Sequence, residues 1–174
     1  MKLSAIALLL LLTCCTQAFS QESSREDFRE FCKLVEGRWV ADITWVADWP
    51  GVGKKGEKAT GYFDVKLDAD GHALVGRHYA GSGAGIWTIV YNAAEKKIGG
   101  IYVDKSGINH MTYYKKDGKW IEQGSGSLVD GRKTKDQSTM TFTDNGNQMV
   151  LDGTGTIDGE SHDKRHDVYH RVKE

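Results

Sequence analysis

The sequence predicts an all-β protein: a closed antiparallel meander β-barrel of about ten strands with one short N-terminal helix. Three observations lead to this fold class. Beyond residue 37 the hydrophobic pattern has a period of two instead of 3.6. Asp-Gly and Asn-Gly dipeptides recur between β-branched and aromatic segments, and they suit tight reversals that need positive φ. The connections are mostly short, so sequential strands must pair antiparallel.

Ten segments carry the two-residue period, with turn dipeptides between several of them. The predicted strands cover residues 38–47, 58–67, 72–80, 84–92, 97–104, 108–116, 119–128, 136–143, 147–156 and 164–172. The dipeptides are Asp70-Gly71, Asp117-Gly118, Asp130-Gly131, Asn145-Gly146 and Asp158-Gly159. A ten-stranded meander exposes two edges unless it closes. Closure also explains why several of the 21 glycines fall inside strands, where they permit sharp bends. The alternative is a two-sheet sandwich with longer cross-over connections.

The helix is predicted over residues 23–36. Ser23 and Glu26 have the spacing of a capping box, and Gly37 ends the segment. One apolar stripe follows at helical spacing and consists of Phe28, Phe31, Cys32 and Val35. Beyond the predicted leader Cys32 is the only cysteine, so we expect no intramolecular disulfide and interpret Cys32 as a half-buried small apolar residue.

Residues 1–20 have the pattern of a signal peptide, which leaves residues 21–174 as a single domain. Lys2 precedes an apolar run over 5–12, and the small residues Ala18 and Ser20 occupy the positions expected before cleavage at Gln21. We therefore expect export to a periplasmic or extracellular space. The alternative is a lipoprotein anchored through Cys14 or Cys15, although the residues before them are poor matches to such a site.

The composition of the remaining chain excludes several partners. Without Lys2 it holds 22 basic and 24 acidic residues and no basic run, which argues against nucleic acid. No later segment approaches eighteen consecutive apolar residues, so we expect no membrane span.

Strand parity assigns the faces of the predicted barrel. In the first strand Trp39, Ala41, Ile43 and Trp45 share the inward side. The same rule turns inward Phe63, Val65, Leu67, Met140, Phe142, Met149 and Leu151. In the fourth strand both faces are apolar, so parity does not decide. The predicted lining of a ligand cavity is Trp45, Trp87, Tyr91, Tyr102, Tyr113, Trp120 and Met140.

The segment Gly37-Arg38-Trp39, which opens the first strand after a short helix, resembles the Gly-x-Trp signature of lipocalins and related calycins. The resemblance implies that Trp39 is structural and stacks with an arginine of the last strand, here Arg171. The chain is most similar to an uncharacterised bacterial family of exported lipocalin-like proteins. The matching segments are Trp49-Pro50-Gly51, Tyr91-Asn92, Lys97, Tyr102, Asp104 and Ser106-Gly107. These motifs support the fold and leave function open.

A comparison with fatty-acid-binding proteins fails in an informative way. That family holds the ligand carboxylate with an Arg-x-Tyr pair on its final strand, whereas this chain has Asp167 two residues before Tyr169. A carboxylate there repels a fatty-acid head group. The expected ligand is therefore a small apolar or weakly polar molecule with a neutral or cationic polar end.

No catalytic or metal motif stands out. His166 and His170 lie four residues apart on one strand, about 13 Å, which is too far to bind one ion, and parity with Arg171 turns both outward. We expect the histidines at the surface and the carboxylates of Asp64, Asp104, Glu122 and Asp167 facing solvent, as alternating charges ordinarily do.

The sequence therefore favours a non-enzymatic carrier without a cofactor. Two alternatives remain open. One is a haem-binding, nitrobindin-like barrel or another cavity-based enzyme, with His78, His110 or His170 as the candidate iron ligands. The other is a structural envelope protein.

Overall fold

The computed structural model describes residues 21–173, and it shows a closed antiparallel β-barrel preceded by one helix. Helix α1 covers Arg25–Val35. The strands are β1 Gly37–Thr44, β2 Lys58–Asp68, β3 Ala73–Ala80, β4 Gly83–Asn92, β5 Lys97–Asp104, β6 Gly107–Lys116, β7 Lys119–Leu128, β8 Lys133–Thr143, β9 Gln148–Ile157, β10 Glu160–Ser161 and β11 Arg165–Arg171. Single 3-10 turns cover Ala69–Gly71 and Asp144–Gly146.

Strands β1 to β9 pair in sequence order, and the last strand, β11, pairs with β9 and with β1. The order β1 to β9 continues to β11, which closes the sheet by pairing Trp39 of β1 with Arg171. The two-residue β10 forms a hairpin with the end of β9, so the wall consists of ten full strands. The predicted closed meander is confirmed, and the sandwich alternative is wrong.

The helix is shorter than predicted and its cap lies one residue later. Ser24 accepts a hydrogen bond from the backbone N–H of Asp27, and the Asp27 carboxylate accepts one from the Ser24 N–H. This reciprocal pair replaces the predicted pair of Ser23 and Glu26. Ser23 is buried, where its hydroxyl donates to the carbonyl of Tyr113 at 3.2 Å. An acidic residue at either position satisfies the capping pattern, so spacing alone left the register open.

The turn dipeptides act as predicted with one exception. Asp117-Gly118 and Asp158-Gly159 form two-residue turns with positive φ at both positions. At 129–132 only Gly131 has positive φ, and the Asp130 carboxylate accepts from the N–H of Arg132 in a longer loop.

Helix α1 closes one end of the barrel. Its stripe of Phe28, Phe31, Cys32 and Val35 is buried, as predicted from its spacing. The Phe31 ring lies 4.8 Å from that of Tyr113 and 4.9 Å from that of Trp120. This end of the interior is therefore filled by side chains.

Arg171 ties the helix to the barrel wall. Its guanidinium lies 4.1 Å from the centre of the Trp39 ring. It donates to the carbonyls of Leu34 at 2.8 Å, Gly146 at 3.1 Å and Glu36. The Trp39 indole N–H in turn donates to the Val35 carbonyl at 2.9 Å. The last turn of α1 is thus satisfied by β1 and β11.

The inward assignment is confirmed for the first strand, where Trp39, Ala41 and Ile43 are buried. The prediction for Leu67 is wrong: it is 42 % exposed, because it lies near the end of β2 beyond the closed interior. In β4, Ile89 is buried while Ile86 and Val90 are exposed, which settles the strand that parity left open.

Candidate functional site

A cavity of about 250 Å³ occupies the interior on the side away from the helix-filled end. Its floor includes Val35 and Trp39, and its wall is mostly aromatic, aliphatic and thioether. The apolar wall residues are Ile43, Phe63, Val65, Trp87, Tyr102, Met111, Leu128, Met140, Met149, Leu151 and Tyr169. The three methionines beyond residue 20 all belong to this wall.

The segment 45–57 folds across the open end. It was predicted in part as strand, but β1 ends at Thr44 and the following residues turn over the barrel mouth. The backbone N–H of Trp45 donates to Glu57 at 2.9 Å, and that of Gly56 donates to Trp45 at 2.8 Å. The segment is anchored to the next turn by the Ser82 hydroxyl, which donates to Gly51 at 2.8 Å. It contributes four lining residues, Trp45, Val46, Trp49 and Val52.

A hydrogen-bonded chain of three side chains lies on one wall. The Tyr102 hydroxyl donates to the Asp104 carboxylate at 3.1 Å, and the His78 Nδ1 lies 3.0 Å from the same hydroxyl. The other Asp104 oxygen accepts from the N–H and hydroxyl of Ser106 and from the N–H of Gly107, at 2.6–3.1 Å. A carboxylate with four donors acts only as an acceptor, so the Tyr102 proton points to Asp104.

This chain fixes the tautomer of His78. Because the Tyr102 hydroxyl already donates to Asp104, it accepts from His78, whose Nδ1 therefore carries the proton. Burial lowers the pKa of His78 to about 4, although the charge of Asp104 acts in the opposite direction. The imidazole is thus neutral near pH 7. Its Nε2 lone pair is buried and has no hydrogen-bond partner among residues 21–173.

A second polar cluster surrounds Arg165. The guanidinium donates to Glu122 at 2.8 Å and to the Ser138 hydroxyl at 2.6 Å. Burial alone would lower the pKa of Arg165, but the neighbouring carboxylates, Glu122 first, raise it, so it stays charged. The second Glu122 oxygen accepts from the Tyr113 hydroxyl at 2.9 Å. Glu122 therefore bridges the cavity and the filled end.

Two further carboxylates line the cavity with weaker partners. Asp167 is 5 % exposed, and its nearest charged contact is Arg165 Nε at 3.8 Å. Burial raises the pKa of Asp167 to about 6, against the opposing effects of the Arg165 charge and of a hydrogen bond from the backbone of Thr44. Asp136 accepts from the Asn109 amide at 3.3 Å, and burial followed by the charge of Glu122 raises its pKa.

The structure brings four of the predicted lining residues together and leaves three outside. Trp45, Trp87, Tyr102 and Met140 line the cavity. Tyr113 and Trp120 belong to the helix-filled end, and Tyr91 is half-buried with the Arg25 guanidinium 5.4 Å from its ring.

The polar groups of the site correct the sequence-based expectation that carboxylates face solvent. Glu122 and Asp167 are buried and Asp104 is half-buried, whereas Asp64 lies on the outer face beside Lys66. Arg165 is a further residue of the site that the sequence did not predict. Strand parity indicates that the two buried carboxylates face inward, because Glu122 shares the face of Trp120 and Asp167 shares the face of Tyr169.

The histidines divide between interior and surface. His78 and His162 line the cavity, contrary to the expectation that all lie at the surface. His110, His166 and His170 are exposed, and the last two face outward as parity predicted. Within 21–173 no three His, Cys, Asp or Glu side chains are arranged to hold a metal ion.

In the part of the chain that the structure describes, none of the helices has the length and apolar character needed to cross a membrane. Residues 1–20, with the predicted signal peptide and the Cys14 and Cys15 alternative, lie outside the described residues. No protein-family model matches the chain, and comparison with curated proteins finds no match. The closed ten-strand barrel is consistent with a lipocalin-like or calycin-like fold.

Proposed function

We propose that this chain is an exported, non-enzymatic protein that binds a small, mostly apolar molecule inside its barrel. The observation that carries the proposal is the cavity of about 250 Å³, walled by aromatic and thioether side chains. Ligand sites are typically concave and mostly apolar with a few convergent polar groups. The volume lies near the lower end of such sites and suits a small ligand. Export rests on the sequence pattern of residues 1–20 alone.

Unsatisfied polar atoms on the cavity wall support a binding role. In the described part of the chain, His78 Nε2, Asn109 Oδ1 and Asp167 Oδ1 are buried without a hydrogen-bond partner. Buried polar atoms in proteins are nearly always paired. Two donors on the same wall, Trp87 Nε1 and Arg165 Nε, also lack a partner in that part of the chain, so a ligand with hydrogen-bonding groups would supply the missing partners. A purely structural envelope protein would instead have a packed interior.

One observation favours the haem alternative. His78 is the one of its three candidate histidines that faces the interior, and its unprotonated Nε2 is free to bind iron. A porphyrin would require the wall to move apart, because the cavity is small. Hemin addition distinguishes the two readings: a sharp Soret band that is lost in His78→Ala would support haem binding.

The experiment for the carrier role is a titration of the protein, residues 21–174, with the neutral fluorophore N-phenyl-1-naphthylamine, excited directly. We expect saturable emission enhancement. Met140→Trp, which places a larger side chain at a buried wall position, should weaken it strongly. The matched control is Ile86→Ser. Ile86 and Val103 are exposed, face each other across β4 and β5 on the outer face, and do not line the cavity.

If Ile86→Ser abolishes the signal and Met140→Trp does not, the probe binds outside the barrel and the proposal fails. Urea unfolding of each variant checks that it is folded.

A further inference from the structure

We propose that the ligand of this cavity carries a protonated amine, and that the ammonium lies against the Asp167 carboxylate while an apolar body fills the aromatic part of the cavity. This inference rests on the proposed binding function and adds the chemical class of the ligand.

The charge of the cavity wall favours a cationic ligand. Four carboxylates line the cavity: Asp104, Glu122, Asp136 and Asp167. Among residues 21–173, Arg165 is the one arginine that lines the cavity. The other basic residues there are Lys135, which is exposed, and His162, which is half-buried. The interior therefore holds an excess of acidic groups. Buried charge without a partner is costly, so the site favours a ligand that brings a positive charge.

The charged side chains of the wall pair in a way that leaves one carboxylate, Asp167, without a close cationic partner. Arg165 directs its shortest hydrogen bonds at Glu122 and Ser138 and approaches Asp167 only at 3.8 Å. Asp167 is 95 % buried, and across 21–173 its Oδ1 has no hydrogen-bond partner. It is thus a buried carboxylate with a free acceptor atom at the cavity wall. An ammonium group would supply both the missing donor and the missing charge.

The rest of the cavity wall is largely aromatic. Trp45, Trp87 and Phe63 present aromatic surface, which accommodates an apolar body and attracts cations. An anionic ligand would place its charge near three carboxylates, those of Asp167, Glu122 and Asp136. The one guanidinium among them, Arg165, already donates through a terminal nitrogen to Glu122 and Ser138, and within 21–173 its buried Nε lacks a partner. Electrostatics therefore disfavour a carboxylate ligand.

The test uses three ligands of nearly equal size: 3-phenylpropylamine, 3-phenylpropan-1-ol and 3-phenylpropanoate. Calorimetric titration near pH 7.5 should show the amine binding at least about tenfold more tightly than the alcohol, with the carboxylate weakest. In Asp167→Asn the amine and alcohol should bind within about threefold of each other. The matched control is Asp152→Asn, which removes an exposed carboxylate paired with His166 on the outer face and should leave the preference unchanged.

A pH series on the unaltered protein provides a second reading that does not depend on a variant. The preference for the amine over the alcohol should shrink between about pH 8 and pH 5 as Asp167 takes up a proton. The groups that act on this carboxyl are Arg165, Tyr169 and His166 of its own strand, Glu122 on β7 and the backbone of Thr44 on β1, which supplies a hydrogen bond. Asp136 on β8 acts on it through Arg165. The alcohol serves as the internal reference for their combined effect.

The outcomes separate the two proposals. If the alcohol binds as tightly as the amine, or the carboxylate binds best, the ammonium inference is overturned while the carrier role stands. If the preference persists in Asp167→Asn, the assignment to Asp167 is overturned. If neither these ligands nor N-phenyl-1-naphthylamine binds, the carrier role itself fails.

Discussion

Removal of the Arg171 side chain should strongly lower the free energy of unfolding. Its guanidinium joins α1, β1 and the turn after β8 through three carbonyl hydrogen bonds and the stack on Trp39. In Arg171→Ala the last carbonyls of the helix lose their donors together. The cost is expected in the stability of the whole barrel, because α1 fills one end of its interior.

The magnitude follows from those contacts. Glu36 is exposed while Leu34 and Gly146 are half-buried, so water partly replaces the lost donors and each bond contributes about 1 kcal/mol. The stack on Trp39 adds about 0.5–1 kcal/mol. We expect a loss of about 3–4 kcal/mol in the free energy of unfolding. For a chain of this size that corresponds to a fall of about 6–16 °C in Tm.

Urea unfolding followed by tryptophan fluorescence and circular dichroism measures this loss. Arg171→Lys keeps the charge but lacks the planar fork, so it should show most of the loss. The control is Arg29→Ala, which removes an exposed pair with Glu26 and should cost less than about 0.5 kcal/mol. A loss below about 1 kcal/mol in Arg171→Ala would refute the closing role assigned to this residue.

Four further predictions concern titration, space and access. Burial raises the pKa of Asp167 to about 6, so the folded state binds this proton more tightly than the unfolded state and becomes less stable as the pH rises and the proton is lost. In urea unfolding, the free energy of unfolding of the unaltered protein should fall by about 2 kcal/mol more than that of Asp167→Asn between about pH 4 and pH 7. His78 should stay a neutral Nδ1–H tautomer down to about pH 5 in nitrogen NMR spectra, and a midpoint near 6.5 would contradict its burial. Gly85→Ala places a Cβ in steric conflict with the Tyr102 hydroxyl, so the His78 ring signals should shift and the affinity for N-phenyl-1-naphthylamine should fall, whereas unchanged spectra would disprove the close approach. Cys32 is buried and burial raises its pKa to about 11, so a thiol reagent should label it only after unfolding; rapid labelling of folded protein would contradict this.

The barrel was predictable because its signals are local. The two-residue period predicts which side of most strands is buried, with β4 undecided, and Asp117-Gly118 and Asp158-Gly159 mark where the chain reverses. Closure follows from short connections between antiparallel neighbours. The end of the first strand was harder to predict, because Trp45 continues the alternating pattern of β1 although β1 ends at Thr44.

The polar site was missed for a different reason. Glu122 and Asp167 satisfy the inward parity of their strands, but charged residues are rarely buried unless paired, so their type outweighed their position. Their burial depends on Arg165, which lies 43 residues from Glu122 in the sequence. Single-sequence reasoning has no access to that pairing. The His78–Tyr102–Asp104 chain likewise joins β3 to β5 across β4.

We propose that the barrel interior, and not its outer face, binds the small molecule. The most direct measurement is a methyl NMR titration of protein labelled at methionine, because Met111, Met140 and Met149 all line the cavity. Addition of N-phenyl-1-naphthylamine should shift all three methyl signals and produce contacts between them and the probe. Three unmoved signals in the presence of bound probe would contradict the account.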